Sequence, residues 1–209
     1  MPHTPRVAEI IQNRFNRLSA PIVVAVGGPG GTGKSFFSRN LSGLLSNSAV
    51  LTLDDYKEAR AVRAEKGVYG PHPSANKMDL ILDHLVHIKQ GKSFDQPVYC
   101  SKAGGAATTK RFQPAKFNLL DGEVSTYRDF REWVDFAIYI ESDWKTQLMS
   151  RVVRDVEERG HTPEKVLTTF LNSNLREFPK YGEPTRSQAN LILHCDSDYQ
   201  VTIRECRDV

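Results

Sequence analysis

Residues 28–35, Gly-Pro-Gly-Gly-Thr-Gly-Lys-Ser, fit the pattern G-x-x-x-x-G-K-[ST] without a gap, and they join two different periodicities. Before them, Ile22 to Val26 is an unbroken, mostly β-branched run, the pattern of a strand buried on both faces. After them, Ser35 to Leu45 carries apolar residues at helical spacing. A chain that leaves a buried strand, turns through glycines and enters a helix aims successive backbone N–H groups and the helix N-terminus at one point. Such a point suits phosphate oxygens. The loop Gly28, Pro29, Gly30, Gly31, Thr32 and Gly33 would supply amides, with Phe36 following in the first helical turn. Lys34 would reach the β and γ phosphates, and Ser35 would set its hydroxyl on Mg²⁺. The motif thus points to a nucleoside triphosphate. It does not choose between a GTPase, a motor and a transferase.

The rest of the chain predicts an α/β fold with a doubly wound parallel sheet. A helix is expected over residues 4–18, then strands at Ala49–Leu53, Phe117–Leu120 and Phe136–Ile140. Met78, Ile81, Leu82, Leu85 and Ile88 form a helical stripe. Asp143–Arg159 and Glu164–Phe178 read as helices parted by Gly160, and Asn190–His194 and Tyr199–Arg204 as late strands. Residues 56–76 read as loop, and Gly91–Gly105 as turn, a short strand at Pro97–Tyr99 and more loop. One domain over 1–209 is expected, with an insertion at about 55–115 and lid helices at about 145–180.

Composition excludes several alternatives. With 28 basic and 25 acidic residues the charge is nearly balanced, which argues against an extended nucleic-acid surface. No apolar run approaches the roughly 20 residues of a membrane helix, so no membrane partner is expected. Cys100, Cys195 and Cys206 are far apart, which fits a reducing cytoplasm rather than a disulfide scaffold. Asn76-Lys77-Met78-Asp79 matches the N-K-x-D string of guanine recognition, but it opens the Met78–Ile88 helix instead of following a late buried strand. It reads as a helix start.

Two segments favour phosphoryl transfer to an acceptor. Asp54 and Asp55 fall at the carboxyl end of the second strand, the edge where open α/β sheets bind ligands. A carboxylate there can take the proton of an attacking hydroxyl or hold a Mg²⁺-bound water. Arg151 and Arg154 share one helical face with Arg159 close to it, and cations placed around a moving phosphoryl group supply much of such catalysis. Read alone, that helix is equally a solvated one laced with Arg/Asp/Glu pairs. His84 and His87, three apart, are surface or interface histidines rather than a metal pair. Trp133 and Trp144 read as core or subunit-contact residues, and Lys102, Lys110 and Arg111 as a solvated loop or a docking point for an acidic substrate.

In order along the chain, GGPGGTGKS, LTLDDYK, HPSAN, QPVY, LLDGEVS, FAIYIES, RVVRDVEERG and PTRSQANLIL resemble the uridine kinase and phosphoribulokinase family of P-loop kinases. The resemblance implies a P-loop NTPase fold of nucleoside-kinase type with a helical lid, and Mg-ATP-dependent phosphorylation of an alcohol. It places the general base on Asp54, with Asp55 as neighbour or substitute, and the acid that organises Mg²⁺ on Asp121. It makes Arg151, Arg154 and Arg159 lid arginines, with Arg154 also reaching the substrate. Tyr56, Tyr69, His72 and Tyr99 become candidate substrate-pocket residues. The small-molecule acceptor stays open between a uridine-like nucleoside and a sugar phosphate, pantothenate, glycerate or nicotinamide riboside. Where uridine kinases resemble PVYDF, followed by a His and an Arg, this chain has Cys100 and no nearby histidine. A homo-oligomer is compatible with all of this, as is a regulatory NTP-binding module without an acceptor.

Overall fold

The computed structural model describes residues 3–207. Helix α1 (Thr4–Phe15) precedes β1 (Ile22–Gly27), α2 (Lys34–Leu44) and β2 (Ser48–Thr52). A 3₁₀ turn at Leu53–Tyr56 leads into α3 (Arg60–Glu65), α4 (Met78–Lys89), β3 (Phe94–Cys100) and β4 (Gly105–Phe112). Strands β5 (Phe117–Asp121) and β6 (Phe136–Glu141) follow, then α5 (Trp144–Val152), α6 (Pro163–Phe170), α7 (Phe178–Tyr181), β7 (Leu191–Cys195) and β8 (Val201–Cys206).

Six strands form the main sheet in the order β2-β5-β1-β6-β7-β8, and only β8 runs antiparallel to its neighbour. The unbroken apolar run of β1 is explained by its central place. Ile22, Val24 and Val26 face one core with α1 and α2, while Val23 faces a second core with α4. Each fully buried Val, Leu or Ile contributes roughly 1.5–3 kcal/mol, and helices on both faces supply the doubly wound architecture.

Three local expectations are corrected. Within 56–76, expected as loop, α3 carries no buried residue, so its sequence has no apolar stripe to read. It is held instead by Arg60 N–H on Gly104 O (2.6 Å) and by Arg63, which reaches Glu58 O and the Tyr99 hydroxyl. Strand β4 was hidden for a similar reason: Ala106 to Arg111 are all exposed, so nothing alternates, yet the segment pairs antiparallel with β3. The two long helices each give way to a π-helical stretch, at Val153–Glu158 and Leu171–Glu177. Such stretches are frequent at functional sites. Trp133 packs against the second core, but Trp144 is 56% exposed and belongs to none. Within 55–115, α4 belongs to the main core through Ile81, Leu85 and Ile88, which leaves α3 and the β3–β4 hairpin as the appended part.

His84, expected at the surface or an interface, is instead a core histidine. Its Nδ1 lies 2.6 Å from the Tyr56 hydroxyl and its ring stacks on Phe94. Burial lowers its pKa below 6.5, with Asp83 opposing and His87 reinforcing the shift. The unfolded chain binds the proton more readily, so stability present above about pH 6.5 is lost as pH falls from there toward the lower folded value. The urea midpoint is therefore expected to drop from pH 7.5 to 5.5 by more in the wild type than in His84→Gln. Equal drops would show that His84 is not the group responsible.

Candidate active site

Strand register brings the chemistry to one edge. Asp121, the last residue of β5, pairs with Val26 on one side and Thr52 on the other. One residue further, β1 enters the glycine loop through Gly27, and two residues beyond Thr52 comes Asp54. The loop, Asp54 and Asp121 thus meet at the carboxyl ends of adjacent parallel strands, where β5 and β6 flank β1 and the connections reverse direction.

The loop is packed as closely as its glycines allow. A Cβ on Gly28 (φ 134°) would lie 2.1 Å from Ile140 O, and one on Gly31 (φ 86°) 2.3 Å from Gln147 O. Thr32 Oγ1 and Lys34 Nζ both donate to Pro29 O, at 2.9 and 2.7 Å. Burial lowers the Lys34 pKa, while Glu123, Asp121 and Asp54 oppose the fall by favouring its charge. Burial raises the Asp121 pKa, opposed by the neighbouring Ser35 hydroxyl and by Lys34. Asp121 Oδ1 is buried without a hydrogen-bond partner. A hydroxyl at a helix start beside a buried carboxylate with a free oxygen fits a hard divalent cation that keeps waters and takes phosphate oxygens. No cluster of three or more His, Cys, Asp or Glu among the described residues offers a closed cage.

The arginines divide into two groups. Arg151 is buried; its Nη2 lies 3.2 Å from Glu123 Oε1 and 3.5 Å from Ser173 Oγ. It also lies against Gly30, where a Cβ would fall 1.9 Å from that nitrogen. Arg154 and Arg159 both pair with Asp155 Oδ1, at 2.8 and 3.0 Å. Arg154 is close enough to Asp54 to lower that carboxyl's pKa. Asn174 clamps the loop from above, donating to Gly30 O and to Gln147 Oε1, each at 2.7 Å.

Asp54, whose side chain is about half exposed, pairs with Lys57 at 2.8 Å, and that ammonium holds its carboxyl far below the usual range. Asp55 does not share this role. It accepts from Tyr99 N (2.9 Å) and Gln96 Nε2 (3.4 Å), pinning β3 to the end of β2. Tyr56 is fully buried in the second core, which corrects its expected place in the substrate pocket. Tyr99 lies on β3 with its hydroxyl taken by Arg63, Tyr69 stacks under Arg176 at 5.5 Å, and His72 packs edge-on against Tyr181. Asn76, from the guanine-like string, donates to Gly70 O and His72 O, so it shapes a turn. Phe36 is 44% exposed, with its ring 5.8 Å from that of Tyr199. The basic hairpin residues are exposed, and Arg111 is spent on Asp95.

Glu123, Lys57, Gln147 and Asn174 escaped the reading of the sequence. Lys57, three residues after Asp54, carried a legible signal, because that spacing lets the two pair in the 3₁₀ turn. The other three gave none, since they meet the site only through tertiary packing.

With a glycine cradle between a buried parallel strand and its helix, the molecule is a P-loop protein of α/β type. Residues 23–202 match the model of the phosphoribulokinase / uridine kinase family, and the chain belongs to that family. It is 31% identical to a phosphoribulokinase from Synechocystis sp., over 85% of this chain and 54% of that protein. It is 28% identical to a uridine kinase from Brevibacillus brevis, over 83% of this chain and 84% of that one. The chain thus spans about half the length of the phosphoribulokinases it matches. The fold is similar to that of a Silicibacter sp. TM1040 protein described as a candidate fructose transport system kinase (TM-score 0.73, 16% identity, 88% and 94% covered). It is also similar to YFH7 from Saccharomyces cerevisiae (TM-score 0.69, 10% identity, 92% and 98% covered). At such identities these structures speak for the fold alone. No helix among the described residues is long and apolar enough to cross a membrane.

Proposed function

We propose that this chain transfers the γ-phosphoryl group of ATP to a hydroxyl of a small metabolite. The observation that carries the reading is the register that sets Asp54, Asp121 and the P-loop at one sheet edge, beneath a helical arm bearing three arginines. A carboxylate at that edge can take the proton of an acceptor hydroxyl, a role that a hydrolytic switch does not require.

In this reading the P-loop amides and Lys34 hold the β and γ phosphates, and Arg151 and Arg154 neutralise charge as the phosphoryl group moves. Asp54 orients the acceptor hydroxyl and takes its proton late, which suits a carboxylate kept ionised by Lys57. Ser35 and Asp121 would hold Mg²⁺, which when bound would offset the charge of the phosphates. Residues 145–180 act as the lid, and Gly160, at φ 64° with open space around it, permits its turn. Membership of a family with named kinases supports the ATP and alcohol roles; cytosolic residence and a self-assembled oligomer remain part of the same proposal.

The test is ADP release with Mg-ATP against a panel of nucleosides, sugars, sugar phosphates and hydroxy acids. Strong stimulation by one compound supports the proposal. Slow turnover that no compound stimulates would favour a second reading, an NTP-binding regulator without an acceptor. The close Asp54–Lys57 pair is the one observation on that side, since it weakens the base.

A further inference from the structure

Resting on the kinase reading, we infer that Glu123 is a specificity-determining residue that recognises a second hydroxyl on an uncharged polyol acceptor and turns away phosphorylated ones. Glu123 stands two residues beyond Asp121, where the chain leaves β5 between the P-loop and the Gly70 turn. Its side chain is about nine-tenths buried. The two oxygens face different ways. Oε1 takes Arg151, while a Cβ on Gly70 would lie 2.7 Å from Oε2. Between them opens a cleft lined by Leu53, Asp54, Lys57, Gly70, Asn76 and Glu123. The base and the Oε2 side of Glu123 therefore border one space. As it stands that cleft is too narrow for a water molecule, so in this proposal an acceptor enters as the partly exposed Lys57 side chain swings aside, while Glu123 stays on Arg151.

The charges bordering this space decide the class of acceptor. Of the charges that line it, Lys57 is paired with Asp54, and Glu123 is paired with Arg151 behind it, while Arg154 and Arg159, which do not line the cleft, share the one carboxylate of Asp155. Lys34 is folded onto the P-loop carbonyl and serves the nucleotide. An acceptor phosphate in this cleft would meet two carboxylates, Asp54 and Glu123, against the single lining cation Lys57, which is already paired with Asp54. Like charge at a contact is a repulsive element by which sites reject a competitor, here strongest at the buried Glu123. Neutral hydroxyl groups meet the opposite situation: one donates to Asp54 and reacts, and a neighbour donates to Glu123 Oε2. A hydrogen bond to a charged group contributes roughly 1.5–3 kcal/mol, or about 10- to 100-fold in binding.

The experiment measures ADP release for glycerol, D-ribose, D-fructose and uridine against glycerol 3-phosphate, ribose 5-phosphate and fructose 6-phosphate, in wild type and Glu123→Gln. The glutamine keeps an oxygen for Arg151, and circular dichroism checks its fold. Wild type is expected to favour a neutral acceptor in kcat/KM by roughly 100-fold over its phosphate. The variant should raise the KM of that neutral acceptor about tenfold with kcat within a few-fold, and narrow the gap to the phosphorylated one. Equal or better use of a phosphorylated acceptor by wild type overturns the assignment. So does a variant that loses kcat with the acceptor KM unchanged, because that marks a residue which only positions Arg151. Silence of the whole panel in wild type is distinguishable from both, and overturns the kinase reading and this assignment together.

Discussion

Asp54→Asn is expected to lower acceptor-stimulated ADP release by about 10²- to 10⁴-fold, the usual contribution of a positioned general base. Affinity for a fluorescent ATP analogue should stay within a few-fold, because the P-loop contacts do not pass through Asp54. The pH dependence carries a sign. Lys57 depresses the Asp54 pKa, so the carboxylate is ionised throughout the working range, and wild-type activity should show no acid limb from this group above about pH 4. Lys57→Met removes the largest cause of that depression and returns the group toward its ordinary 3.8, still ionised at neutrality. Its cost should accordingly be well below that of Asp54→Asn, about tenfold through lost positioning. A rate for Asp54→Asn within a few-fold of wild type would remove the base from the mechanism and with it the main support for an acceptor.

The legible parts of this molecule are those where local sequence and tertiary role coincide. The P-loop could be read because a buried strand, a glycine turn and a helix start follow one another without interruption, and Asp54 because a strand ends in a paired acid. The helix at Met78 was separable from a guanine motif by its apolar stripe, and Asn76 indeed serves a turn. Elements without a buried face were invisible: α3 and β4 are set by contacts across the chain, such as Arg60 to Gly104 and the pairing with β3. The arginine helix shows a subtler limit. Spacing put Arg151, Arg154 and Arg159 together, but it could not tell that Arg151 would be buried on Glu123 while the other two share Asp155. Tyr56 was expected at the pocket because it lies two residues beyond the candidate base Asp54, but His84 and the second core claim it.

Burial also makes Arg151 the position of largest expected effect on stability. Both partners of the Arg151–Glu123 pair are at most a tenth exposed. Arg151→Met leaves a carboxylate uncompensated in a desolvated site, which typically costs about 3–5 kcal/mol. For a chain of this size that is a fall in melting temperature of roughly 6–20 °C. Arg159→Met is the contrast: its side chain is 40% exposed in its pair with Asp155, and pairs open to solvent contribute at most about 1 kcal/mol. The double variant Arg151→Met/Glu123→Leu separates charge from packing. An apolar pair of similar volume often matches a buried ion pair, so the second change should restore most of what the first removed. If instead the double variant melts lower than Arg151→Met alone, the loss comes from packing against Gly30 and Ser173, and the uncompensated charge is not its cause.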